Sequence, residues 1–289
     1  MIKKQKVTEA YNAISALKGN DAFKAMVQRL NNFLENKATH NLPGINLPNY
    51  LLSITKGGGI TTLINRFADY LHATGAHEFC GTAKVLEFEL KYAEPDAQFT
   101  ELTRLRNKLR DIAGYNHAFK GLVCIDINHW HDHEMEAHFT TFLDYIAGNK
   151  NILAIFYTHK AEDKVLAALS LHLRVEALSL RFPNVDELVE YIEANHLHSG
   201  GFYLTAESKQ TLREIINRHV ACPHFSGFKT IDRLAHDLLY RLLSHSPIQS
   251  HFIPHRILAA FDQDTIHINK INAQTANKKI IGFTGEERI

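Results

Sequence analysis

The stretch YLLSITKGGGITTL, Tyr50 to Leu63, decides how the rest of the chain is read. Its first part (Leu51, Leu52, Ile54) is apolar and stops at three consecutive glycines, Gly57, Gly58 and Gly59. Beyond them Ile60, Leu63, Ile64, Phe67, Ala68 and Leu71 recur at helical spacing. Strand, glycine turn and helix in that order form a loop suited to a phosphate. Glycines let backbone N–H groups approach an anion, and the helix N-terminus adds positive potential. The working pattern, GxxxxGK followed by Ser or Thr, also needs a lysine against the outer phosphates. Here Ile54 holds the first glycine position and Ile60 the lysine position, whereas Gly57, Gly59 and Thr61 fit, with Thr62 behind them. It is a phosphate loop without its key charge.

Outward from that loop, apolar runs alternate with helical patterns. Residues 7–36 read as two amphipathic helices broken near Gly19-Asn20, with Phe23, Met26, Val27, Leu30 and Leu34 striping the second. Strands are expected at 50–54, 84–90, 122–127, 152–157 and 177–182, with helices between them carrying Phe99 to Ile112, Met135 to Ile146 and Val165 to Leu169. Strands apolar on both faces and separated by helices argue for a parallel sheet covered on both sides. The pattern changes at Pro183. Asn184 with Glu187 forms a capping pair, helices follow near 205–220 and 228–244, and no strand is evident between 184 and 245. The expected organisation is an α/β unit over 1–183 and a helical unit with a tail over 184–289.

At 289 residues, 45% apolar and 22% charged, the composition is that of a folded chain with a large core. A net charge of +1 gives no electrostatic case for nucleic acid or an anionic membrane surface. No apolar run approaches the roughly 20 residues of a membrane span, and MIKKQKVTEAY lacks the apolar segment of a signal peptide. Cys80, Cys124 and Cys222 are widely spaced, without a CxxC pair, which argues for reduced thiols in a core and a cytoplasmic setting.

This order of elements resembles the AAA+ ATPase superfamily, and within it the CbxX/CfxQ and SpoVK group. The likeness runs from about Val7 to the end. It rests on the helical pair and Pro-containing loop before the first strand, the glycine loop, a Walker-B-like strand at Leu122–Asp126 and a sensor-one-type strand at Ile152–Thr158. Further along, it rests on the Arg174–Pro183 segment, the Gly201–Leu204 segment before a helix and a closing Ile281-Gly282-Phe283. It implies a five-stranded parallel P-loop core with a C-terminal helical lid subdomain.

The departures from that pattern bear on function. Ile60 replaces the Walker A lysine and Ile127 the Walker B glutamate, while Asp126 keeps the metal-side aspartate and Thr61 the Mg²⁺-side hydroxyl. Lys229 occupies the sensor-two position, Arg174 that of the arginine reaching a neighbour's site, and Tyr92 is the one aromatic available for a pore loop. Losing the phosphate-gripping lysine and the water-orienting glutamate removes the means of hydrolysis. The expectation is a silent AAA+ subunit, needing no cofactor, that scaffolds or regulates an assembly with its own kind or an active relative.

Two other readings stay open. Lys56-Gly57-Gly58 matches the start of the deviant Walker A pattern KGGxGK, so Lys56 would restore binding of ATP or ADP with Mg²⁺ in a divergent remodelling ATPase; otherwise it is a solvated loop lysine. His129, His131 and His133, in NHWHDHE, follow a buried strand, where α/β proteins place ligands. Alternate histidines could hold Zn²⁺ or Ni²⁺ in a metal-dependent hydrolase, although 19 histidines in the chain favour a surface cluster. His196 and His198 read as surface residues, Arg174 without the family reading is a surface arginine, and Trp130 is an interface anchor at most.

Overall fold

Five short runs rich in Leu, Ile, Val and Phe pair as one parallel sheet in the computed structural model: β1 (Asn49–Ile54), β2 (Val85–Glu89), β3 (Gly121–Asp126), β4 (Ile152–Thr158) and β5 (Val175–Leu180). Their spatial order is β2-β3-β4-β1-β5. Parallel neighbours need long crossovers, and helices supply them: α3 (Ile60–Thr74), α4 (Thr100–Ala113), α5 (Ala137–Gly148) and α6 (Asp163–His172). Two helices, α1 (Ile2–Ser15) and α2 (Asp21–His40), precede the sheet. The structure describes residues 2–40, 47–80, 83–92, 100–114, 118–130, 133, 136–160, 163–244, 252–253 and 258. The chain divides into two compact units, Met1–Phe182 and Pro183–Ile289.

Side chains alternate across a strand, and the two cores of the first unit follow that alternation. Tyr50, Leu52 and Ile54 of β1, with Leu122 and Cys124 of β3, pack with α1, α2 and α3 on one face. Leu51, Val123, Ile125 and Phe156 pack with α4, α5 and α6 on the other. Phe67 anchors the first core, edge-on to Phe23 (5.4 Å) and Tyr50 (5.7 Å).

In the second unit the capping box at α7 (Val185–Ile192) forms as its sequence implies: Glu187 N donates to Asn184 Oδ1 at 3.0 Å and Asn184 N to Glu187 Oε2 at 2.8 Å. A π-helical turn (Glu193–Leu197), α8 (Ala206–Val220) and α9 (Phe228–Ser244) follow. The sequence shows no strand here, yet Tyr203-Leu204 (β6) pairs in parallel with Phe252-Ile253 (β7). Two residues are too short for a periodic signal; the pairing is fixed from outside, by Ser208 Oγ donating to the Ile253 carbonyl at 2.7 Å. β5 runs over 175–180 rather than 177–182 because its register with β1, Asn49↔Val175 through Ile54↔Leu180, outweighs the charged Glu176 near its start. Among the described residues no helix is long and apolar enough to cross a membrane.

The turn after α3 is tied to the start of β3 by His77, whose Nε2 lies 3.3 Å from the Gly121 carbonyl. Desolvation pushes the His77 pKa below its ordinary value, an effect partly offset by the Gly121 and Asn151 carbonyls and the charge of Glu78. The folded state therefore prefers the neutral ring, and the unfolded chain binds the extra proton near pH 6.5. His77 should lower the stability of the chain as pH falls from about 7.5 through 6. Denaturant titrations across that range should show the loss, and His77→Gln should flatten it.

Candidate functional site

β1 lies between β4 and β5, with β3 on the far side of β4, so the glycine loop leaves the sheet at its carboxyl edge beside the ends of β4 and β3. That edge is where open α/β sheets place ligands. The loop takes two left-handed positions, Gly57 (φ 78°) and Gly59 (φ 81°), a conformation glycine adopts without steric cost. Gly58 N donates to the Thr55 carbonyl at 2.9 Å, and a Cβ on Gly58 would lie 2.8 Å from that same oxygen and from Ile54 Cγ1. Gly59 caps α3 without any side-chain hydrogen bond to its first turn. Thr61 and Thr62 are exposed on that turn. Ile60 is partly buried and packs against the core shared by α1, α2 and α3, so its side chain extends the apolar core to the mouth of the loop.

Asp126 ends β3 on the same face as Leu122 and Cys124, the face that carries α3. Its carboxylate is engaged on both oxygens. Oδ1 accepts from Asn128 N (2.9 Å) and Asn128 Nδ2 (2.6 Å), and Oδ2 accepts from the Tyr157 hydroxyl (3.0 Å). Burial, then the Asp126 charge and hydrogen bond, pushes the Tyr157 pKa upward and keeps the phenol a donor. Asn128 Oδ1 in turn accepts from His159 N at 2.7 Å. The His159 ring closes the chain: Nδ1 lies 2.7 Å from the Ile54 carbonyl, and because a carbonyl only accepts, Nδ1 carries the proton. A hydrogen-bonded line thus crosses the ends of β3, β4 and β1. Ile127 is 1% exposed and faces the opposite core, the one that holds Trp130.

The other residues singled out in the sequence are dispersed. Lys56 is exposed at the loop crest and makes no ion pair or hydrogen bond among the described residues. Arg174 is exposed at the amino end of β5, on the sheet edge opposite the loop; its carbonyl accepts from Asn49 N, and its guanidinium has no hydrogen bond or ion pair among the described residues. With a rise of about 3.3 Å per residue along six residues, roughly 20 Å separate it from the loop of its own chain. Lys229 is exposed in the first turn of α9 in the second unit. Among the histidines, His129 Nε2 pairs with Glu89 (3.1 Å), while His133 Nδ1 pairs with Glu136 (2.6 Å) and its ring stacks on Tyr92 (3.9 Å). His131 and the Ile281-Gly282-Phe283 ending lie outside the described residues. Among the described residues no group of three or more His, Cys, Asp or Glu could hold a metal ion.

Two sequence expectations need correction. His196 is not a surface residue: its side chain is 13% exposed, and Nε2 lies 3.1 Å from Asp232 Oδ1, which also accepts from the Tyr191 hydroxyl at 2.8 Å. Of the three cysteines only Cys124 is a core residue; Cys80 is half-buried and Cys222 is exposed just past the end of α8. Sequence reasoning missed Asn128, Tyr157 and His159. The available signal was a polar residue just beyond the end of each of two buried strands, where α/β sheets gather ligands.

No family model and no curated protein matches the sequence. Among solved structures the chain is similar to two point variants of RuvB from Thermotoga maritima. One is 15% identical with a TM-score of 0.56, the match covering 86% of this chain and 71% of that one. The other is 15% identical with a TM-score of 0.51, covering 82% and 67%. The likeness is one of fold: a RuvB-like AAA+ fold with a five-stranded parallel sheet and C-terminal helices.

Among the described residues Asn128 is the one side chain that bonds both to Asp126 and to the chain after β4. Asn128→Ala should leave the His159 amide without its acceptor, remove one of three donors to Asp126 and lower stability by about 1–3 kcal/mol. Urea unfolding followed by the fluorescence of Trp130, the sole tryptophan, measures it.

Proposed function

We propose that this chain is a catalytically silent AAA+ subunit that acts as a scaffold or regulator within an AAA+ assembly formed with itself or with an active relative. The observation that carries the reading is the state of the carboxyl edge. Ile60, partly buried against the core, stands where the family resemblance puts the phosphate-gripping lysine, and the Asp126 carboxylate is hydrogen-bonded on both oxygens to Asn128 and Tyr157. A triphosphate with Mg²⁺ needs a cation at the first and free carboxylate oxygens at the second. The position that would orient water holds Ile127, buried in the opposite core, so no group at that position polarises a nucleophile.

Arg174 gives the silent subunit a role toward others. It is exposed and unpaired among the described residues, on the edge remote from its own loop, so its charge is available to a neighbour. An arginine supplied in trans stabilises the charge that develops on a transferring phosphoryl group.

Lys56 supports a second reading, a nucleotide-binding remodeller, through one observation: its ammonium has no partner among the described residues and stands at the crest of the glycine loop. Isothermal titration with ATP and Mg²⁺ separates the two. The silent reading expects no heat of binding at micromolar nucleotide and no phosphate release. Micromolar binding that disappears in Lys56→Ala would establish the second reading instead.

Two variants extend the test. Ile60→Lys should introduce measurable nucleotide binding, whereas Ile127→Glu should not restore hydrolysis and should destabilise the fold by several kcal/mol, because it buries an unpaired carboxylate. With an active AAA+ partner reconstituted, Arg174→Ala should remove the stimulation of that partner's turnover. An unchanged turnover would defeat the trans role.

A further inference from the structure

The two edge strands of the sheet are finished differently. On the open side of β2 the Glu89 carbonyl already accepts from the Arg104 guanidinium. β5, at the other end of the order, pairs only with β1. Asn49 N donates to the Arg174 carbonyl, so Arg174, Glu176 and Leu178 turn their backbone groups toward β1, and Val175, Ala177 and Ser179 turn theirs outward. Among the described residues these outward N–H and C=O groups have no hydrogen-bond partner. Val175 and Ala177 are half-buried and Ser179 is exposed. The register from Asn49↔Val175 to Ile54↔Leu180 is unbroken, so no bulge twists this edge away, and no proline interrupts it. Arg174 stands exposed at its amino end.

We propose that β5 is a docking edge for an extended peptide, which adds as an antiparallel strand and carries a carboxylate opposite Arg174. Main-chain hydrogen bonds to an open edge supply affinity, and the opposed side chains supply selectivity. Parallel sheets commonly end in an antiparallel edge strand. In that orientation the guest residues opposite Val175, Ala177 and Ser179 exchange both backbone bonds with them, as hydrogen-bonded pairs do. Their side chains project beside Val175 and Ala177, which pack on the core that holds Phe156. The alternate guest residues project to the other face, opposite Arg174, Glu176 and Leu178. Charge complementarity fixes their chemistry: acidic opposite Arg174, basic opposite Glu176, which Arg29 of α2 already pairs, and apolar opposite Leu178 of the second core. A second copy of β5 matches less well. In the two-fold register that pairs all the outward-facing residues, Ala177 meets Ala177, Arg174 meets Leu180 and Glu176 meets Leu178, so neither charge finds a counter-charge.

The probe is the labelled, C-terminally amidated peptide Thr-Ile-Val-Lys-Val-Glu, titrated with the full chain by fluorescence anisotropy. No nucleotide or second AAA+ protein is present, so the result is independent of the silent-subunit reading. The peptide should bind saturably. Methylating the amides of its third and fifth residues, which face β5, should weaken binding about tenfold, whereas methylating the second and fourth, which face away, should not. Ala177→Pro removes an outward N–H without breaking the ladder to β1, and should weaken binding to the same degree. Arg174→Glu should weaken it severalfold, and a peptide ending in lysine should recover the loss. The methylated peptides leave the protein untouched, so the outcome is decided even where Ala177→Pro does not fold. Absence of saturable binding, or binding indifferent to which amides are methylated, overturns the proposal. A dimer in sedimentation velocity that Ala177→Pro abolishes would assign the edge to a second copy and overturn it as well.

Discussion

The pairing of β1 between β4 and β5 is the constraint from which the remaining features of the first unit follow. Leu51 and Leu52 are both fully buried and point to opposite faces, so β1 must be covered by helices on both sides. Parallel neighbours in turn require crossovers, and the amphipathic helices after β1, β2, β3 and β4 are the chain's way of meeting that requirement. Once the register Tyr50↔Ile155 through Ser53↔Thr158 is fixed, the ends of β1 and β4 are level, and the register Gly121↔Ile152 through Asp126↔Tyr157 levels β3 with them. The glycine loop, Asp126, Asn128 and His159 meet as a consequence of strand register rather than of any local attraction among them.

That meeting has a definite chemical character. The strand ends leave carbonyls and amides without ladder partners, and buried or half-buried polar groups must find others. Here they find one another: the Ile54 carbonyl takes the His159 imidazole, the His159 amide takes Asn128, and Asn128 takes Asp126. A site built to hold a charged ligand leaves such groups to be completed by that ligand. In this chain the protein completes them, and Ile60 and Ile127 pack with the two apolar cores on either side of the sheet.

The sequence made the sheet legible because the strands are continuous apolar runs bounded by glycine and polar residues, and the burial pattern repeats those runs almost residue for residue in β3 and β4. The helices were legible from their stripes and, for α7, from the capping pair. β6 was not, since two residues carry no period. The polar line across the carboxyl edge was hidden for a different reason. Its bonds join residues such as His159 and Ile54, 105 apart in sequence, and no spacing rule links a hydrogen bond to a separation of that size. Asn128 was overlooked because it opens the segment NHWHDHE, whose histidines draw attention as metal ligands; the asparagine is the member that ties the strands together, whereas His129 and His133 pair with different carboxylates.

The separation between the loop and Arg174 carries the last step. One lies at the carboxyl edge of β1 and the other at the amino edge of β5, so the length of a strand stands between them and no side-chain motion brings them together within one chain. On the silent-subunit reading, a glycine loop with Ile60 in place of a lysine has little use for an arginine of its own. An exposed arginine at the far edge, free of ion pairs among the described residues, acts within the chain on the Tyr50 hydroxyl and leaves its guanidinium open to solvent. Under the silent-subunit reading these two facts are not independent oddities. On that reading, an uncharged loop position together with an exposed arginine at the opposite edge is the distribution expected of a protein whose contribution to catalysis is made in its neighbour.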